Sequence, residues 1–208
     1  MTGIYTLGAL LRNGASLRPQ EMALIFPDKR TSYADLNDRA RLWAATLIAR
    51  GVQPGDHVGL LLTTRPEFVE ALFGIAMAGA VAVPVNARYQ PGELAFLVKD
   101  ADLVGLITTG RVADSLDFSE RLMEALPSLA AAVDPENLSL TEAPKLRSII
   151  CLDEPCPAGL VSARTALPTL PLSAQTSTEI DARIDAVEPQ SIAMILYTSG
   201  TTANPKGC

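Results

Sequence analysis

Between Ser32 and Leu152, segments with helical period alternate with short apolar runs, and few folds accept that order. Ser32 and Asp35 form a capping-box pattern. Leu36, Ala40, Trp43, Ala44, Leu47 and Ile48 then recur along one helical stripe until Gly51 ends it as a C′ glycine. Gly55-Asp56 turns the chain into a strand at His57 to Leu62. Pro66 sits at the first position of a helix over Glu67 to Ala78, where a missing N–H costs no hydrogen bond, and Ala80 to Val85 is the next strand. The rhythm continues with a helix at Pro91 to Lys99, a strand at Leu103 to Thr108, a helix near Asp114 to Ala125 and a strand at Ser148 to Leu152. The expected fold is α/β, a mainly parallel sheet with helices on both faces.

Outside that core the signals are shorter. Leu7, Leu10 and Leu11 predict a small amphipathic helix over residues 6–17 that caps something formed later in the chain. Met22 to Phe26 and Thr31 to Tyr33 flank Pro27-Asp28-Lys29-Arg30 as a short hairpin. From Asp153 to Glu188, Pro155, Pro157, Pro168 and Pro171 mix with Ser and Thr, and periodicity fades. A long surface connection is expected there, with a helical turn or more around Thr178 to Val187, a disordered loop being the alternative. It delivers the chain to an apolar strand, Ile192 to Leu196.

With 48% hydrophobic and 19% charged residues the 208-residue chain can bury a core. A net charge of −6 without a Lys/Arg block, and only 5% aromatic residues, argue against a nucleic-acid partner. Cys151, Cys156 and Cys208 are odd in number and accompany a single histidine, His57, so neither a disulfide framework nor a zinc site is expected, and a reducing cytoplasm fits. No secretory signal is visible, and the longest uncharged run, Ala71 to Val85, is too short to span a bilayer and is broken by Gly74, Gly79 and Pro84.

The last twelve residues, Tyr197 to Cys208, read YTSGTTANPKGC. Four small hydroxyl side chains, glycine-freed backbone N–H groups and one ammonium suit the wrapping of a polyphosphate, since each donor meets an oxyanion lone pair. The pattern is not a Walker loop, which would need glycine at 205 and a hydroxyl at 207 where Pro205 and Gly207 stand. It closely resembles the phosphate loop of the AMP-forming adenylating enzymes: acyl-CoA synthetases, adenylation domains of peptide synthetases and beetle luciferases. Tyr197-Thr198-Ser199-Gly200-Thr201-Thr202 and Pro205-Lys206-Gly207 match that loop. Tyr33-Ala34-Asp35-Leu36, Gly51-Val52 with Gly55-Asp56 and Val58, and Ala78-Gly79-Ala80-Val81 with Pro84-Val85-Asn86 look like the family's earlier landmarks, in the usual order. Ala203 departs from the family's glycine. A positive φ there would cost alanine about 1–2 kcal/mol, so a negative φ is predicted.

The resemblance implies a carboxylic acid:CoA ligase. A carboxylate would attack the α-phosphorus of ATP to give an acyl-adenylate and pyrophosphate, and coenzyme A would then form the thioester with release of AMP. In that reading Lys206 is catalytic. Thr198, Ser199, Gly200, Thr201, Thr202, Lys206 and Gly207 bind the nucleotide, and Pro205 fixes the turn that aims the lysine. The adenine pocket, the magnesium-binding glutamate, the acyl pocket and a C-terminal catalytic lysine are expected beyond residue 208. The chain is therefore read as a partial N-terminal AMP-binding domain, inactive alone, whose unpaired edges favour self-association or pairing with the remainder. Alternatives are an adenylation domain that loads a carrier protein, and a short non-catalytic protein that binds a nucleotide or partner. His57, Asp56, Asp100, Asp102 and Cys208 receive no catalytic role.

Overall fold

Alternating segments become alternating elements because each carries its own start and stop. The computed structural model describes residues 6–113, 116–198 and 205–208. Helix α1 (Leu7–Leu17) precedes a hairpin of β1 (Met22–Ile25) and β2 (Arg30–Ser32), followed by α2 (Tyr33–Ala49), β3 (His57–Leu61), α3 (Pro66–Met77), β4 (Val81–Pro84), α4 (Pro91–Asp100) and β5 (Leu103–Thr108). A short ribbon, β6 (Arg111–Ala113) with β7 (Leu116–Asp117), leads to α5 (Phe118–Ala125), β8 (Ser148–Cys151), β9 (Val161–Ser162), α6 (Ala163–Ala166), α7 (Ala174–Ala186), β10 (Tyr197–Thr198) and β11 (Lys206–Gly207).

Local chemistry accounts for most boundaries. The Ser32 hydroxyl oxygen accepts the Asp35 N–H at 3.1 Å, while the Asp35 carboxylate takes the Ser32 hydroxyl at 2.7 Å, so α2 starts on a tight Ser–Asp cap. Gly51 ends it at φ +76°, a left-handed position that lets Val52 N–H reach back to Leu47 O at 3.0 Å. Pro66 occupies the first turn of α3 as its sequence implies. Helix α5 starts later than expected, at Phe118, because Asp117 is the cap, accepting from the N–H groups of Ser119 and Glu120 at 2.9 and 3.3 Å. Asp114, where that helix was expected to begin, lies outside the described residues.

The chain divides into two compact units. One comprises residues up to Gly55 with Thr64–Val81 and Leu167–Ala193. In it α2 and α3 meet at Gly74, where an added Cβ would lie 2.3 Å from Trp43 Cβ. Gly8 of α1 faces Ile184 of α7 and the Ala76–Met77 backbone of α3, so α1 does cover later elements. The later part of the proline-rich stretch, from Leu167, is an ordered excursion in this unit. Ser173 caps α7 by accepting from the Thr176 N–H, and Ile180 and Ile184, four residues apart, are buried. Arg41 Nη1 pairs with Asp181 at 2.8 Å, and Arg183 Nη1 donates to Val52 O at 2.8 Å and Ala78 O at 3.2 Å, satisfying carbonyls that follow the ends of α2 and α3.

The other unit comprises Asp56–Thr63, Ala82–Ala166 and Met194–Cys208. Its centre is a sheet of order β4-β3-β5-β8-β9, in which β3, β5, β8 and β9 pair in parallel. The fold class is thus α/β with a parallel sheet flanked by helices. Leu61, Val83, Leu97, Leu106, Phe118 and Ile149 belong to one buried cluster between the sheet, α4 and α5. The run Ile192 to Leu196, expected as a strand, makes a single parallel bridge, Met194 to Ala82, with Ile195 N–H donating to Ala82 O at 2.9 Å. Ile192 and Leu196 are each exposed, by 63% and 52%.

Candidate functional site: the terminal hairpin

The end of the chain is a hairpin. Strand β10 pairs antiparallel with β11, Tyr197 opposite Gly207 and Thr198 opposite Lys206. Leu196 and Cys208 extend the stem by exchanging N–H···O bonds of 3.1 and 2.9 Å. Residues directly opposite in an antiparallel pair share a face, and neighbours along a strand alternate. Thr198 and Lys206 therefore stand together on one face of the stem, and both are exposed. Pro205, next to Lys206, is buried and anchors the return strand.

Of the residues singled out in the sequence, the structure brings Thr198, Lys206 and Gly207 into this stem. Ser199, Gly200, Thr201 and Thr202, and Ala203 with its predicted negative φ, lie outside the described residues. Lys206 is exposed, and no ion pair to it is found among the described residues. Gly207 has a packing role: a Cβ there would come within 3.1 Å of Tyr197 Cζ and 3.3 Å of Ile195 Cγ2, so the glycine admits the tyrosine ring against the opposite strand.

Sequence reasoning missed what holds the stem. The Tyr197 hydroxyl donates to Asp100 Oδ2 at 2.6 Å, and the Tyr89 hydroxyl donates to the Tyr197 carbonyl at 3.3 Å. Burial first, then the bond to Asp100 and the charges of Asp100 and Asp102, raise the pKa of the Tyr197 phenol, which stays a protonated donor through the neutral range. No periodicity or spacing announces Asp100. The only sequence signal was that Tyr197 begins the loop string.

The residues set aside have structural partners. His57 Nδ1 lies 2.7 Å from Ala101 O, which can only accept, so that nitrogen carries the proton. Asp56 pairs with Arg147 at 3.1 Å and Asp102 with Lys145 at 2.8 Å. A cleft of about 800 Å³ lined by Gly110, Ser119, Asp153 and Glu154 among others contains none of the hairpin residues. No group of three or more His, Cys, Asp or Glu side chains among the described residues could hold a metal ion. No helix among them is long and apolar enough to cross a membrane.

Comparison with known proteins bears on the same hairpin. The family model described as AMP-binding enzyme matches residues 11–208. A medium/long-chain-fatty-acid–CoA and 3-oxocholest-4-en-26-oate–CoA ligase of Mycobacterium marinum is 33% identical over 195 residues, covering 91% of this chain and 31% of its own length. A 4-hydroxybutyrate–CoA ligase of Metallosphaera sedula is 29% identical over 189 residues, 89% of this chain and 30% of its own. Among solved structures, an anthranilate CoA ligase in complex with anthranoyl-AMP superposes with a TM-score of 0.69 at 25% identity, over 99% of this chain and 34% of that one. The chain thus spans about a third of the length of such relatives. By the match over residues 11–208, the chain belongs to the AMP-binding enzyme family.

Proposed function

We propose that this chain is the N-terminal, phosphate-binding part of an ATP-dependent carboxylic acid:CoA ligase. The observation that carries the proposal is the exposed face of the stem, where Thr198 stands opposite Lys206 at the base of a Ser/Thr/Gly loop. A carboxylate oxygen bonds to the α-phosphorus of ATP, the bond from that phosphorus to the bridging oxygen breaks, and pyrophosphate leaves with the negative charge. The Lys206 ammonium at the β and γ phosphates stabilises that charge as it builds, more in the transition state than before it. The Thr198 hydroxyl and the loop's hydroxyls and N–H groups add donors. Coenzyme A then takes the acyl group from the adenylate, and AMP is released.

The full reaction, its carboxylic acid and its acyl acceptor belong to the whole enzyme. The 208 residues alone are proposed to bind nucleotide phosphates without turning over, and to associate with a second copy or with the remainder of the enzyme. In the complete enzyme, Lys206→Ala is expected to slow adenylate formation, read as ATP–pyrophosphate exchange, by about 100-fold, the loss typical of one charge-stabilising donor, with carboxylate affinity little changed. Unchanged exchange removes the assignment of Lys206. Exchange catalysed by the purified 208-residue chain refutes its inactivity.

A further inference from the structure

The two faces of the hairpin stem differ. Thr198 and Lys206, both exposed, are on one; half-buried Tyr197 and Gly207, itself exposed, are on the other. There the Tyr197 ring lies against the Gly207 backbone, with Cζ and Cε2 only 3.1 and 3.2 Å from where a Cβ would be. Its hydroxyl reaches Asp100 Oδ2, on the last residue of α4, at 2.6 Å. Its carbonyl takes the Tyr89 hydroxyl at 3.3 Å. The Tyr89 segment is itself fixed: Arg121 of α5 donates to the carbonyls of Ala87 and Tyr89 at 3.0 and 3.1 Å. The Tyr197 side chain thus ties the stem to α4, and its main-chain carbonyl ties β10, through Tyr89, to α5.

Register in a stem of only three residue pairs is weakly specified by its own hydrogen bonds, and a slip of one residue exchanges the faces. A slip here would turn Lys206 to the face of Tyr197 and move Gly207 from under the ring. We propose that Tyr197 is a positioning residue for the polyphosphate site: packed on Gly207 and bonded to Asp100, it fixes the register and direction of the stem so that Lys206 and Thr198 face the phosphates of a nucleoside triphosphate. The proposal rests on the reading of Lys206 given above.

The test uses the 208-residue chain with ATP and with inorganic triphosphate as calorimetric probes, alongside amide hydrogen exchange and thermal melting. Tyr197→Phe keeps the ring and loses the hydroxyl. It is expected to weaken both probes by about fivefold, the scale of one lost hydrogen bond, without shifting the melting midpoint, and to speed exchange at the Leu196 and Cys208 amides that close the stem. Asp100→Asn keeps an acceptor and retains wild-type affinity. Asp100→Ala matches Tyr197→Phe, and the double variant is no weaker than either single one, as expected of two ends of one contact. Asp100 is exposed, so its variants fold even if a change at Tyr197 disturbs the chain. Lys206→Ala weakens both probes by about tenfold or more, as loss of a charged phosphate contact should. If Lys206→Ala weakens binding while Tyr197→Phe and Asp100→Ala bind like wild type, the positioning role is refuted and the reading of Lys206 stands. If the wild-type chain binds neither probe, or Lys206→Ala leaves binding unchanged, both fall together.

Discussion

Gly74→Ala should destabilise the chain although alanine is the better helix former. Gly74 lies within α3, and a Cβ built on it would be 2.3 Å from Trp43 Cβ, 2.9 Å from Ala40 O and 3.2 Å from Ala44 N. All three atoms belong to the α2 backbone or to the first side-chain atom, so no rotamer change relieves the clash. Carbon atoms sit at about 3.5 Å at closest comfortable contact, which leaves roughly 1.2 Å to be made up by moving α3 away from α2. Overpacking of a close core contact costs about 1–3 kcal/mol, and the rigid neighbours put this case at the upper end. Helix propensity returns about 1 kcal/mol. The net loss is about 2 kcal/mol, or about 4–8 °C in the melting midpoint for a chain of this size. Urea unfolding followed by tryptophan fluorescence reads it directly, since Trp43 is the single tryptophan, is 1% exposed and is the residue struck. Gly92→Ala is the control: it lies in the first turn of α4 with nothing within 4 Å of its added Cβ, so it should be neutral or slightly stabilising. A Gly74→Ala chain as stable as wild type, or a loss at Gly92 as large as at Gly74, refutes the claim that helix contact demands this glycine.

Thiol chemistry and association give further checks. Burial, then the neighbouring Cys151 and Glu154, push the Cys156 thiol from its ordinary value near 9 to about 11. At pH 8 roughly a thousandth of it is thiolate, so iodoacetamide should label exposed Cys208 well before Cys156, as read by peptide mass spectrometry; equal rates contradict the environment described. Because the folded value lies above the unfolded one, the contribution of Cys156 to stability is whole below about pH 9 and is lost as pH rises toward 11. Exposed Ile192 and Leu196 predict a sedimentation coefficient that rises with concentration and falls back toward the monomer value in Ile192→Ser and Leu196→Ser variants. Concentration-independent monomer would count against self-association.

The parts of the fold legible in the sequence were those decided within a few residues. Pro66 at the start of α3, the Ser32 cap and Gly51 at φ +76° each answer a local demand, for a missing donor, an orphan N–H or a left-handed turn. Helix α7 was only half visible because its local pattern is thin. Two isoleucines face inward, and the rest of its docking comes from Arg41, 140 positions away from Asp181, and from Arg183 reaching Val52 and Ala78. The start of α5 was placed too early because the short ribbon that pairs Arg111 with Asp117 has no periodic signal of its own, and Asp117 caps the helix only after it.

The same contrast runs through the site. The string from Tyr197 to Gly207 names its polar chemistry, because hydroxyls, glycines and a lysine at fixed spacing are local facts. What turns that chemistry outward is not local: Asp100 and Tyr197 are 97 positions apart, and a one-residue change of register would bring Lys206 to the wrong face. A stem of three residue pairs has little register specificity of its own, so side-chain packing has to add to it. Tyr197 adds to it because its ring lies closest opposite a residue with no Cβ, a side chain there forcing the ring to give way, and Gly207 is the glycine of β11. The order of residues at the end of the chain, tyrosine before threonine on one strand and lysine before glycine on the other, is thus the order in which the face tied to Asp100 and the face of Thr198 and Lys206 alternate.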